Sequence, residues 1–219
     1  MDILMAIFDF VPVALFLAGA IIFQRDFYNK MSKGAFALFS AGTLFVITAG
    51  VLKALYKLLF YTNVCDFEAL NKCFFPMQTM GFLLAGLGLL AMVIHPQGEH
   101  RVYSITPLGL LFALTVSPKI YNGTMLFVIL MVVGVILLDG CILFIAIKNK
   151  CLGAIITIII SFIGVLGMGY LSTRSELSDW IKEIVNTFGQ GGFFVTALIL
   201  RKKGLGNVNF KVQKQDFEA

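Results

Sequence analysis

The residues best able to do chemistry in this sequence are polar side chains set within long apolar stretches. In residues 177–200, one such series is spaced four, three and four positions apart: Asp179, Glu183, Asn186 and Gln190. This spacing places the four side chains on one face of a helix. Carboxylate and amide groups on a shared face are suited to hydrogen-bonding a small polar solute. Against lipid such a face is costly, so we expect it to be turned toward other helices.

Polar residues from four different apolar stretches share an expected depth in the membrane. Counting about 1.5 Å per residue from the helix ends places Asp9, Lys53, Gln78 and Glu183 roughly 8–10 Å below one membrane boundary. Two more residues of the last stretch lie deeper, at roughly 15 and 20 Å. This convergence predicts a site that opens toward that boundary. The predicted substrate-binding residues are Asp9, Lys53, Gln78, Glu183, Asn186 and Gln190.

Two lysines, Lys53 and Lys57, stand one helical turn apart in the second apolar stretch. Lys57 is close to the boundary, so its long side chain is expected to reach the aqueous interface. Lys53 lies one turn deeper and needs a counter-charge, for which Glu183 is the first choice and Asp9 the second. Such a pair either recognises a substrate or only fixes the packing of the helices.

Asp139 stands in the fifth apolar stretch between Leu138 and Gly140, without a cation nearby in the sequence. Its carboxyl group either carries a proton or hydrogen-bonds to a helix face with small residues, such as the face of Ser161 and Gly164. We expect a role for Asp139 in proton or cation coupling deeper in the same path, or a structural hydrogen bond.

The elements that must position these residues are apolar helices. The chain has 219 residues, of which 59% are hydrophobic and 13% charged, and its mean hydropathy is +0.92. Because a soluble domain has about 25% charged residues, this composition excludes a soluble enzyme, a nucleic-acid-binding domain and a disordered regulator. A helix that spans the bilayer needs about 20 mostly apolar residues. Seven stretches are candidates, of which the fourth is the shortest and spans the membrane only if it extends back through Val102 and Tyr103: Met5–Phe23, Ala35–Phe60, Phe74–Ile94, Ile105–Ser117, Thr124–Ile147, Cys151–Leu171 and Leu177–Leu200.

The predicted fold is therefore all-α, a polytopic membrane protein with seven transmembrane helices in residues 1–204 and a polar cytoplasmic tail in residues 205–219. We expect the first helix to be retained, because it lacks the flanking features of a cleaved signal peptide. Lysine and arginine residues concentrate in one set of connections, whereas the other set has only Lys72, Lys119 and Arg174 beside four acidic residues. This asymmetry predicts a multi-pass protein of the cell membrane with its N-terminus outside and its C-terminus inside. The net charge of +5 then reflects topology, and no nucleic-acid partner is expected.

Two parts of the sequence resemble each other. Leu17–Ile21 recurs as Leu138–Ile142, and Asn29-Lys30 recurs as Asn149-Lys150. This echo maps helices 1–3 onto helices 5–7, with helix 4 as a connector, and so describes a parallel repeat. The 3+1+3 plan resembles in architecture the SWEET and PQ-loop sugar transporters and the bacterial vitamin-precursor carriers of the PnuC type. No Pro-Gln pair ends helix 1 or helix 5, and a shared apolar composition is the other explanation of the echo.

Several other classes are disfavoured by residues that they require. A microbial rhodopsin needs a lysine near the middle of helix 7, whereas Lys182 lies near its outer end. The two histidines, His95 and His100, do not make a persuasive metal or haem site, so we expect neither a metal nor a cofactor. Phosphate-binding glycine loops and catalytic triads do not occur, so we do not expect an enzyme. Cys65 and Cys73 bracket an acidic outer loop and are suited to form a disulfide there.

The leading functional hypothesis is an integral membrane transporter or facilitator of a small polar solute, with its site among helices 1, 2, 3 and 7. The alternative is a receptor-like or accessory membrane subunit that binds a ligand or a partner without transport. In that alternative the basic tail binds a cytoplasmic partner or anionic lipid. A homo-oligomer is compatible with either hypothesis.

Overall fold

The computed structural model describes residues 3–94, 124–172 and 178–205, and the regular elements within them are helices without any strand. The predicted fourth span, Ile105–Ser117, lies outside these residues. So do both histidines and the tail from residue 206 onward.

Eight helices form in the described residues, and together they provide six spans that are long and apolar enough to cross a membrane. The helices α1 and α2 together make one span, and so do α4 and α5. The chain is therefore a helical membrane protein. The helices are α1 (Ile3–Phe8), α2 (Phe10–Phe27), α3 (Lys33–Tyr61), α4 (Glu68–Lys72), α5 (Phe74–Ile94), α6 (Thr124–Lys148), α7 (Leu152–Ser172) and α8 (Asp179–Lys202).

The six long helices form a closed ring. Each packs against the next in the order α2, α3, α5, α6, α7 and α8, and α8 closes the ring against α2. Side chains such as Ile129 and Ile163 on the outer faces are exposed, which is expected where a helix meets lipid. The ring thus leaves its centre available for polar residues.

Small residues allow these helices to approach closely. Gly88 of α5 faces the backbone of α3, where an added Cβ would lie 2.7 Å from the Ala35 carbonyl oxygen. Gly189 of α8 faces Gly164 of α7 in the same way, with 3.2 Å from an added Cβ to the Gly164 carbonyl carbon. Helices in membranes commonly associate through such small residues, because van der Waals contact replaces the hydrophobic effect there.

The helices α5 and α6 run in the same direction. Near their first turns, Thr79 Oγ1 donates a hydrogen bond of 2.9 Å to the Phe127 carbonyl oxygen. Two turns further along, Gly86 packs against Leu137. Residue numbers therefore increase together along the interface, and both helices begin at the same end of the ring.

Candidate functional site

A break in the first span positions the first charged residue of the site. Asp9 separates α1 from α2, and Pro12 follows three residues later. Proline has no backbone N–H, and its ring clashes with the carbonyl group four residues earlier, here that of Phe8. The helix is interrupted at this point, and the Asp9 side chain is buried.

Asp9 belongs to a network of two carboxylates and two ammonium groups from three spans. Lys57 Nζ lies 2.5 Å from Asp9 Oδ2 and 3.2 Å from Glu183 Oε1. Lys53 Nζ lies 3.8 Å from the same Glu183 oxygen. The carboxylate side chains are 3% exposed and the two lysine side chains 17–20% exposed, so the network is largely removed from solvent. Opposite charges balance within it, as is usual for ionised groups that are buried.

The position of Lys57 differs from the one that the sequence predicts. The Lys53–Glu183 pair is present, but Lys57 does not extend to the aqueous interface and instead lies between Asp9 and Glu183. The reason is that α2 packs against both α3 and α8, which brings Asp9 and Glu183 within reach of one ammonium group on α3. Asp9 consequently pairs with Lys57 and not with Lys53.

Lys53 has unused hydrogen-bonding capacity. Its Nζ atom lies 4.6 Å from the centre of the Phe74 ring, a distance typical of a cation–π contact. No hydrogen bond from this ammonium group is made to the residues that the structure describes, since the Glu183 oxygen at 3.8 Å is too far away. A lysine ammonium has three donors. Lys53 is therefore the cation of the network best able to bind a solute.

A cavity lies beside this network in the centre of the ring. It has a volume of about 230 Å³, and a smaller cavity of about 50 Å³ adjoins it on the side of Asp9. All six residues that the sequence singles out line the smaller cavity, and five of them also line the larger one. The structure thus brings these residues together, and their binding of a substrate stays a prediction. The residues that line both cavities are Lys53, Phe74, Gln78, Glu183, Asn186 and Gln190.

The helix α8 presents its polar face to the cavity, as the spacing of four, three and four predicts. Its Asp179 and Gln190 mark the two ends of the stripe that lines the larger cavity. On the opposite face, Ile181 and Phe188 are exposed. The amphipathic pattern of α8 therefore turns hydrogen-bonding groups inward and apolar side chains toward lipid.

Several polar atoms in the cavity have no hydrogen-bond partner among the residues that the structure describes. Asn186 Nδ2 donates to Glu183 Oε2 at 3.3 Å. The amide groups of Gln78 and Gln190 make no side-chain hydrogen bond with the described residues. Asp9 Oδ1 is buried and also lacks a hydrogen-bond partner there. Since buried polar groups are usually paired, these groups have hydrogen-bonding capacity left for water or for a ligand in the cavity.

The cavity is bounded on one side by aromatic rings. Phe16, two turns beyond Asp9, lines the smaller cavity and stacks on Phe193 with 4.9 Å between ring centres. Phe193 also contacts Phe23, with 5.2 Å between ring centres. These phenylalanines fill the centre of the ring beyond Gln190, so the polar region ends there.

Some residues that line the larger cavity are not predicted from the sequence. Asn71 and Lys182 line the larger cavity close to helix ends, and Lys182 Nζ contacts Asp179 Oδ1 at 3.0 Å. Met131 and Met168 contribute apolar wall from α6 and α7. An apolar residue in an apolar helix gives no signal in the sequence that it faces a cavity.

Asp139 lies apart from this site, contrary to the expectation that it stands deeper along the same path. It lines neither of the two central cavities. The inward position of α6 is taken by Leu138, and the next residue along a helix is rotated by about 100°. Asp139 therefore faces α7, where Ser161 Oγ donates to its Oδ2 at 3.4 Å. Ser161 is the partner named in one of the two alternatives that the sequence leaves open for Asp139.

The cysteines and acidic residues show no covalent or metal-bound arrangement in the part of the chain that the structure describes. Cys65 and Cys73 flank α4 as free, exposed thiols, so the disulfide is not formed. Within residues 3–94, 124–172 and 178–205, no three His, Cys, Asp or Glu side chains converge closely enough to hold a metal ion.

Comparison with protein-family models, with curated proteins and with solved structures finds no match to this chain. Its function therefore has to be inferred from the cavity and the residues that line it.

Proposed function

We propose that this protein is a transporter or facilitator of a small polar solute that binds in the central cavity. One observation carries the proposal: polar side chains from four spans, several of them without partners, surround open space in the centre of an apolar ring. A cluster that only fixed helix packing would be expected to pair its buried polar groups fully. Polar groups that lack hydrogen-bond partners and lie beside a cavity are able to bind a ligand there.

The residues suggest how the solute is held. The Lys53 ammonium donates to an anionic or electronegative group of the solute, and the amides of Gln78 and Gln190 complete its hydrogen bonds. Asp9 Oδ1 accepts from a donor at the other end. A volume of about 230 Å³ is below the range of about 300–1,000 Å³ that is usual for pockets of drug-sized ligands. We therefore propose a solute of a few heavy atoms.

The aromatic layer is proposed to be the barrier that moves. Phe16 of α2 and Phe193 of α8 stand between the cavity and the other end of the ring. Passage of a solute requires these rings to separate, for instance by rocking of α2 and its neighbours against α8. The proposed cycle needs no catalytic step and no cofactor.

We also propose seven spans, with the cavity open to the outside of the cell membrane. The observation that α5 and α6 begin at the same end of the ring supports a further crossing of the membrane between them. With this crossing, α2, α3 and α5 precede a connector, and α6, α7 and α8 follow it in the same orientation. That order supports the 3+1+3 parallel repeat. The basic residues Arg25 and Lys33 lie at the end opposite to the cavity, which supports an N-terminus outside and a C-terminus inside.

A receptor-like or accessory subunit is the second candidate, and the packed aromatic layer favours it. A cavity that is open at one end and filled with rings at the other binds a solute without releasing it across the membrane. In this candidate the basic tail binds a cytoplasmic partner, or two copies of the chain associate. Binding of a solute together with an absence of flux would identify this role.

Solute binding is tested with the purified full-length chain by a thermal-shift screen. The probes are small amino acids, carboxylates, amines and sugars, each at millimolar concentration. We expect a solute with an anionic group to raise the unfolding temperature of the wild type and to have no effect on Lys53→Met. Lys182→Met is the matched control, because it removes a cavity-lining lysine that already has a partner in Asp179. Equal shifts in all three proteins would contradict the site.

A further inference from the structure

A separate cavity lies between α6 and α7, on the outer side of the ring. Its volume is about 120 Å³. Apart from Asp139, its walls are apolar or glycine, with Ile136 and Gly140 on α6 and Ile159 and Phe162 on α7. No residue of the central network lines it, so it is distinct from the proposed solute site. We refer to it as the α6–α7 crevice.

The α6–α7 crevice opens toward the lipid. Ile136 and Ile159, at its rim, are 48% and 42% exposed, and they lie on the same outward faces as Ile129 and Ile163. A Cβ atom added to Gly140 would meet no other atom within 4 Å. At Gly134, on the same helix, an added Cβ would instead lie 2.6 Å from the backbone nitrogen of Leu83. Gly140 therefore leaves a gap, whereas Gly134 packs directly against α5.

The carboxyl group of Asp139 lies in this gap without a charged partner. Asp139 is 4% exposed, and its one hydrogen bond to a described residue comes from Ser161 Oγ at 3.4 Å. This distance is long for a hydroxyl donor. Its Oδ1 atom receives no hydrogen bond from the residues that the structure describes. Because an unpaired acidic group within the hydrocarbon layer is costly, a partner that supplies a donor or a positive charge would be bound favourably.

We propose that the α6–α7 crevice is a lipid-accessible binding site for a lipophilic primary amine. The ammonium group of the amine pairs with the Asp139 carboxyl group, which has no charged partner among the described residues. The alkyl chain leaves past Gly140 and lies along the exposed isoleucines of α6 and α7. A phospholipid with an amine head group does not fit this chemistry, because its phosphate would enter beside a carboxylate in a crevice without a basic residue.

The proposal is tested by equilibrium binding of radiolabelled dodecylamine to the full-length chain in phosphatidylcholine nanodiscs. Empty nanodiscs provide the background from partition into lipid. We expect one saturable site per chain. In Asp139→Asn the affinity for dodecylamine should fall by at least about tenfold. Dodecanoic acid, which has the same chain and the opposite charge, is expected not to compete for this site.

Two variants keep the test independent of folding and of the central cavity. Gly140→Leu fills the gap while Asp139 is retained, and it should fold because an added Cβ would meet no atom within 4 Å. We expect it to lose saturable binding. Lys53→Met is expected to bind dodecylamine like the wild type, so failure of the solute site and failure of this site are distinguishable. Absence of a saturable site in the wild type, or equal binding by wild type, Asp139→Asn and Gly140→Leu, would overturn the proposal.

Discussion

Lys57 Nζ and Glu183 Oε1 lie 3.2 Å apart and join two residues that are 126 positions apart in the sequence. This contact ties the end of α3 to the beginning of α8 across the mouth of the central cavity. The same ammonium group also holds Asp9. Lys57 is thus the residue that assembles the charged network, whereas Lys53 Nζ lies 3.8 Å from the same Glu183 oxygen and makes no hydrogen bond to a described residue.

Removal of Lys57 should destabilise the fold. In Lys57→Met, the carboxylates of Asp9 and Glu183 lose their nearest cation, and we expect the free energy of unfolding to fall by about 3 kcal/mol. Chemical unfolding of the purified protein in detergent measures this loss. Asp9→Asn added to Lys57→Met should recover part of it, because one of the two uncompensated charges is then gone. Lys72→Met is the control, since its pair with Glu68 is exposed and contributes little.

The cavity should admit small water-soluble reagents from one end only. In a background with Cys65→Ser and Cys73→Ser, a thiol placed by Gln190→Cys is expected to react with a small hydrophilic methanethiosulfonate. A thiol placed by Phe193→Cys should be unreactive, because Phe193 is buried in the aromatic layer. Labelling followed by intact-mass measurement distinguishes the two. Equal reactivity at both positions would argue against an aromatic barrier.

Close packing of α7 and α8 should depend on one glycine and not on its neighbour. A Cβ at Gly192 would lie 2.7 Å from the Thr157 carbonyl oxygen, whereas one at Gly191 would meet only Leu15 Cδ1 at 3.9 Å. We expect Gly192→Ala to lower the free energy of unfolding by about 1–3 kcal/mol. Gly191→Ala should stay within about 0.5 kcal/mol of the wild type. Similar losses in both variants would contradict this helix interface.

The proposed orientation can be measured on intact cells with an impermeant maleimide. Cys65 and Cys73 are exposed at the end of the ring where the cavity lies, so the wild type should be labelled from outside. A variant with Lys33→Cys and both outer cysteines replaced by serine should be labelled only after the cells are permeabilised. Labelling of the Lys33→Cys variant from outside would reverse the assignment of the two ends.

Helical periodicity and depth predict part of the set of polar residues that meet in the centre of the ring. Asp9, Lys53, Gln78 and Glu183 come from different spans, and each was placed by its distance from a helix end. Depth along a helix does not give the direction around its axis, however. For that reason the sequence predicts Lys57 at the interface although two carboxylates lie beside it, and it leaves open whether Asp139 faces the central path or the Ser161 face of α7.

Contacts between apolar residues also cannot be predicted from this sequence. The aromatic layer of Phe16 and Phe193 and the gap beside Gly140 depend on which helices become neighbours. The chain is apolar nearly throughout, so its pattern gives little information about neighbours. The close contacts of Gly88 and Gly189 became apparent only once α3, α5, α7 and α8 were placed.

Release of solutes from proteoliposomes tests the central proposal most directly. Liposomes loaded with a mixture of small amino acids, carboxylates, amines and sugars are compared with and without the protein, and the released solutes are identified by mass spectrometry. We predict that at least one small anionic or zwitterionic solute leaves faster with the wild type and with Lys182→Met, and that Lys53→Met abolishes this acceleration. If the wild type releases no solute faster than protein-free liposomes do, the protein does not carry these solutes and the proposal of transport is wrong.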